Sequence, residues 1–237
     1  MSTFLHLCQK VAERSGTIPV LGQPEALTGQ SGRLQRIINF VILAHDEVQR
    51  ARSDWRWLIT EFSSDVISGV QSYDAAALGI SSRFSRWIHR GDDGRDTFSL
   101  YLAADGQATE GYLRYIDWSD FRHNYMIGSA ATETGKPTYI SENDQRKLVL
   151  WPTPDAAYTL RGRYRKGAVT WTSADAALSP EFPEDFHEII VWRALMNLAS
   201  FDEANEQFPM FADAHDRLKG QLVNDQTPRI TRGGALA

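Results

Sequence analysis

Apolar residues at helical spacing mark both ends of the chain, and alternating ones mark its middle. Near the start, Phe4, Leu7, Cys8 and Val11 recur on one helical face, which predicts a helix from Thr3 to Arg14. Ser2 or Thr3 can cap it, and Gly16 can end it. A longer stripe of Leu34, Ile37, Ile38, Val41, Ile42, His45 and Val48 predicts a second helix from Gly32 to about Arg52. Arg33, Arg36, Asp46, Glu47, Gln49 and Arg50 fill its polar side. Trp55 and Trp57 follow, placed to close the core where helix gives way to strand.

From Trp57 the period shortens to two. Ile59, Glu61, Val66, Ile67 and Val70 fit a hairpin that breaks at Ser63-Ser64-Asp65. Arg86–Arg90 and Phe98–Leu102 read as strands joined by the turn signal Asp92-Asp93-Gly94. Leu113–Ile116 is a further strand, after which Asp117 can cap a short helix from Trp118 to Tyr125. Thr138–Ser141 pairs with Lys147–Trp151, and Asp155 marks a turn. Tyr158–Arg165 is the last strand, with Tyr158, Leu160, Gly162 and Tyr164 on one face.

Helix then returns. Pro183-Glu184-Asp185 opens a helix that runs to about Phe201, its acidic first turn suiting the dipole. A last helix spans about Glu203–Val223, with its start displaced by Pro209. The pattern is α+β: terminal helices form one bundle, and a central antiparallel β region lies between them in sequence. The expected boundaries are 1–56 plus 180–223 for the bundle and 57–179 for the β-rich region. Residues 224–237 are expected to be a tail with no structure of its own.

Composition narrows the functional classes. The 237 residues are 42% hydrophobic and 23% charged, as in ordinary globular proteins. Seven Trp and eleven Phe exceed what a core of this size needs, and large aromatics are enriched at interfaces. The net charge of -5 gives no global basic field for nucleic acid or an anionic membrane. No apolar run approaches the ~20 residues of a membrane span. The start of the chain lacks the pattern of a signal peptide, so a soluble protein of a reducing compartment is expected. The single Cys8 cannot form an intramolecular disulfide and reads as a small buried hydrophobe.

The candidate chemistry is sparse. No histidine among His6, His45, His89, His123, His187 and His215 has a partner at a metal-binding spacing. Thr28-Gly29-Gln30-Ser31-Gly32 precedes a helix but lacks the Gly-Lys-Ser/Thr ending of a phosphate loop. Asp92, Asp93 and Asp96 lack the ligand pattern of a calcium loop. No nucleophile elbow is present. The expectation is therefore no enzyme, no catalytic residue, no metal and no cofactor. One charged feature stands out: Arg161, Arg163 and Arg165 alternate on one strand face, with Lys166 beside them. This strip could meet a nucleic-acid backbone, an acidic patch on a neighbouring subunit, or only solvent.

The order of segments resembles head-to-tail adaptors of tailed bacteriophages, including the tail tubular A proteins of short-tailed phages. The likeness covers nearly the whole chain. It runs through Phe4-Leu5-His6-Leu7-Cys8-Gln9, Thr28–Leu34, Asp54-Trp55-Arg56-Trp57-Leu58 and Leu148–Asp155, then Tyr158–Tyr164 and Phe182–His187. The resemblance implies a virion protein, assembled in the host cytoplasm, that forms a ring of twelve copies under the portal. That ring would join the portal to a tail nozzle or tube protein and pass DNA through its channel without specific binding. It also implies that the C-terminal tail docks on the portal, through Thr227, Pro228, Arg229, Ile230, Thr231 and Arg232. Three other readings stay open: a different tail structural protein (nozzle, tube or tail completion), a nucleic-acid-binding module using Arg161–Lys166, and a cell-wall-cleaving tail enzyme.

Overall fold

The structure is a computed structural model that describes residues 2–18, 23–80, 82–204 and 206–227. In chain order the elements are α1 (Phe4–Arg14), α2 (Gly32–Arg50), β1 (Ile59–Val66), β2 (Ser72–Tyr73), β3 (Phe84–Ile88) and β4 (Ser99–Leu102). Next come β5 (Gly111–Tyr112), β6 (Arg114–Tyr115), α3 (Trp118–Tyr125), β7 (Thr134–Gly135), β8 (Tyr139–Glu142) and β9 (Leu148–Trp151). β10 (Thr153–Pro154), β11 (Tyr158–Lys166), α4 (Glu188–Phe201) and α5 (Phe208–Gln226) complete the chain. The fold is α+β, and it divides into two units. One combines 1–57 with 168–229, and the other has 58–167 as its described part.

The helical unit is built around α4. Ile189, Ile190, Val191, Ala194, Leu195, Met196 and Leu198 are all buried, so α4 is apolar on nearly every side. A helix of that kind must be surrounded, and α1, α2 and α5 all pack against it. Thr3 caps α1, its hydroxyl accepting from the His6 N–H at 3.2 Å. Gly16 follows with φ +65, the left-handed residue that commonly ends a helix. Trp55 is 1% exposed and stacks on Trp57 with ring centroids 4.4 Å apart.

Residues 168–179 belong to this helical unit, not to the β-rich region in which the sequence reading placed them. The reason is local. Gln49 donates to the Val169 carbonyl and accepts from its N–H, both at 2.9 Å. Trp171, only 2% exposed, lies between Phe4 at 4.8 Å and His45 at 3.6 Å.

In the β unit, β11 is the central strand. It pairs antiparallel with β1 on one edge and with β3 and then β4 on the other, while β5 extends β4. A second sheet runs β2-β9-β8-β6, and β7 pairs with β10. The ladders are antiparallel except for the short β6–β8 and β7–β10 pairs. The core between them includes Phe62, Val66, Trp87, Phe98, Leu100, Ile140, Leu150 and Leu160.

Two boundaries differ from the sequence reading. Ser63-Ser64-Asp65 does not break a hairpin: β1 passes through it, with Ser63 opposite Arg161 and Asp65 opposite Thr159. The turn comes later, at Gly69, where φ is +79. The start of α5 is displaced from Glu203 to Phe208, with Pro209 in the first turn, where the missing N–H costs nothing. Asn224–Gln226, read as tail, complete the last turn of α5.

Candidate functional site

Strand alternation divides the residues of β11 between two faces. Tyr158 and Leu160 are buried in the core, and Gly162 is buried between them and Tyr164. Arg161, Arg163 and Arg165 therefore share the opposite face, each half-buried, and Lys166 follows at the strand end. The neighbouring strands bring polar residues to the same face. Glu61 lies opposite Arg163, Ser63 opposite Arg161 on one side, and Ser99 opposite Arg161 on the other.

The basic strip is not a bare cationic surface. Arg161 reaches Glu110 at 3.3 Å, and the Ser99 hydroxyl donates to the same carboxylate at 2.6 Å. Glu110 stands one residue before β5, which the β4–β5 pairing carries to the edge of this face. Over the face opens a groove of about 1000 Å³, lined among others by Glu61, Arg90, Glu110, Tyr112, Arg161 and Arg163. One wall is the β3–β4 connection, which turns at Gly94 and is held by an Arg90–Asp96 bridge. The other wall carries Tyr112, among the described residues the large hydrophobic most open to solvent, at 78%. Mixed charges beside an exposed aromatic suit a protein surface better than a phosphate backbone.

Cys8, Tyr115 and four of the six histidines are packed or paired. Cys8 is buried, and burial pushes its thiol far above the ordinary range, which disfavours the thiolate. His45 stacks on Trp171. His89 lies 2.5 Å from Glu142 and stacks on Tyr115 at 4.0 Å. Tyr115 is pushed up to about 12, first by burial and then by the carboxylates Asp117 and Glu142. His187 is 3% exposed with its Nε2 against the Phe182 carbonyl at 2.9 Å, and burial lowers its affinity for a proton. His215 lies beside Asp216 at 2.9 Å. His6 and His123 are exposed. Among the described residues no group of His, Cys, Asp and Glu is arranged to hold a metal ion. No helix among them is long and apolar enough to cross a membrane.

Thr28–Gly32 forms the turn into α2, with Gly29 and Gly32 at positive φ. Of the expected portal-docking residues, Thr227 closes α5, its N–H bonding to the Val223 carbonyl at 3.1 Å. Pro228, Arg229, Ile230, Thr231 and Arg232 lie outside the described residues. The sequence reading missed Glu110, Glu61 and Tyr112. Only strand pairing brings them to the basic strip, and no local motif announces such pairing.

The described chain is thus an α+β protein with a charged sheet face beneath a groove in its β unit. The chain belongs to the SU10 adaptor protein family, whose model its residues 2–235 match. It is a structural adaptor of bacteriophage virions, in agreement with the resemblance to head-to-tail adaptors. Among curated proteins, none matches the chain.

Proposed function

We propose that the protein forms a ring, of twelve copies, between the portal of a phage head and the tail nozzle or tube, and that DNA leaves through the ring. What carries this reading is the family match across nearly the whole chain. The net charge of -5 supports a channel that repels phosphates and lets DNA slide. Thr227, Pro228, Arg229, Ile230, Thr231 and Arg232, which follow α5, dock on the portal. Arg161, Arg163, Arg165 and Lys166 face a neighbouring subunit. The pairing of Arg161 with Glu110 favours this over contact with DNA, because part of the strip's charge is already neutralised.

Electron microscopy of the purified protein mixed with portals tests the reading. A ring added to one end of each portal is the expected result. Addition to tail tubes and not to portals would make the protein a nozzle, tube or tail-completion subunit instead. Removal of residues 228–237 should leave a folded protein that no longer joins heads. Particles completed by the truncated protein would end the portal-docking role of the tail.

A further inference from the structure

Arg163 lies on the floor of the groove in the β unit, and its Nε is buried without a hydrogen-bond partner among the described residues. Glu61 lies directly opposite on β1, yet no ion pair joins the two. A buried guanidinium donor left unsatisfied is costly, and the group that best satisfies it is a carboxylate held in its fork. The groove around it has a volume of about 1000 Å³, comparable with that of a short turn of chain.

The helical unit carries such a turn. Glu181, Glu184 and Asp185 are exposed between the buried Phe182 and the start of α4. The turn is internally hydrogen-bonded: the Phe186 N–H bonds to the Pro183 carbonyl at 3.0 Å and the His187 N–H to the Glu184 carbonyl at 3.0 Å. A preordered loop loses little entropy on docking. We propose that the groove of one copy receives the acidic turn Glu181–Asp185 of the next, with the Asp185 carboxylate on Arg163. The proposal rests on the ring reading above and names the contact that builds the ring. It joins two different patches, so it is heterologous, and a contact of that kind propagates beyond a dimer and builds a ring where its rotation closes.

Two variants of the full chain test it, Arg163→Cys and Asp185→Cys, each treated with a short bis-maleimide linker. Cys8 is 2% exposed and adds little background. A covalent dimer in the mixture of the two variants, absent from either alone, is expected. Rings of wild-type protein without that dimer would overturn the contact and leave the ring. The dimer with a wild-type protein that never forms rings would keep the contact and remove the ring. Charge reversal gives a second readout. R163E and D185R should each weaken self-association at least about tenfold, and mixing them should restore it, because each reversed patch then meets its complement. If R163E lowers DNA binding and leaves self-association unchanged, the groove is a nucleic-acid surface and the proposal fails.

Discussion

Gly162 shows how one position can be both legible and opaque. A glycine inside a strand signals close approach of another group, and the alternation of Tyr158, Leu160 and Tyr164 put it on the core face. Its sequence did not say what approaches. A Cβ at this position would lie 2.4 Å from the Phe98 ring and 2.9 Å from Phe62. Both rings are held by the packing around Trp87. Gly162→Ala should therefore cost about 1–3 kcal/mol through overpacking, measured by denaturant unfolding. An unchanged midpoint would mean the rings yield freely. A second residue-scale case is Glu188, which takes hydrogen bonds from Lys10 and, at 2.6 Å, from Arg14. Burial alone would raise its pKa, but these two cations outweigh that and hold it below the ordinary glutamate value. Its stabilising contribution is thus complete above about pH 4.3 and is lost as the pH falls through the lower folded value. His187 acts in the same direction at a higher window. The unfolded state gains its proton below about pH 6.5, while the buried ring resists it. Stability should fall in two stages on acidification. Glu188→Gln should lose about 1–2 kcal/mol at pH 7 and flatten the lower stage. A variant with the wild-type acid profile would remove Glu188 from this role.

Elements with a long, clean period were readable, and those that depend on a partner strand or segment were not. α1 and α2 lie close to their predicted limits because their stripes are local, and the cap of α1 at Thr3 is local too. β1 was misread at Ser63-Ser64-Asp65, since three small polar residues resemble a turn. Here they alternate across a sheet edge, with Ser64 opposite Leu160 and its neighbours facing out. The segment after β11 was misassigned for a related reason. Nothing in residues 168–171 announces that Gln49, more than a hundred positions earlier, grips Val169 through both of its backbone groups. That grip makes a prediction at the scale of the element. Gln49→Ala removes both hydrogen bonds and should destabilise the helical unit by about 1–2 kcal/mol. Amide exchange at Val169 should quicken, while exchange in β1 and β11 stays as before. Uniform acceleration across both units would show that the grip is not local.

At the scale of the molecule, the two-unit arrangement follows from where the chain returns. Among the described residues the β unit is one stretch, 58–167, while the helical unit is assembled from pieces on either side of it. The sequence suggested this as helices at both ends and strands between. It could not supply the closure. Ile59 pairs with Arg165, so the β unit's incoming and outgoing strands lie side by side at their shared end. A unit whose ends meet can be removed or inserted with little disturbance to its own core. Its core residues, from Phe62 to Leu160, all come from within the stretch. The isolated fragment 58–167 should therefore fold by itself, with cooperative thermal unfolding and a near-ultraviolet circular dichroism signal from Trp87 among its packed rings. The helical unit, with residue 57 joined to 168 by a short Gly/Ser linker, should keep its α-helical spectrum. Loss of cooperativity in the fragment would mean that the β core needs the helices to form. Retention would mean that each unit can be mutated and tested separately. The contact between Arg163 and Asp185 could then be measured with one unit from each copy: the fragment should bind the linked helical unit in a manner abolished by R163E and restored when D185R is added.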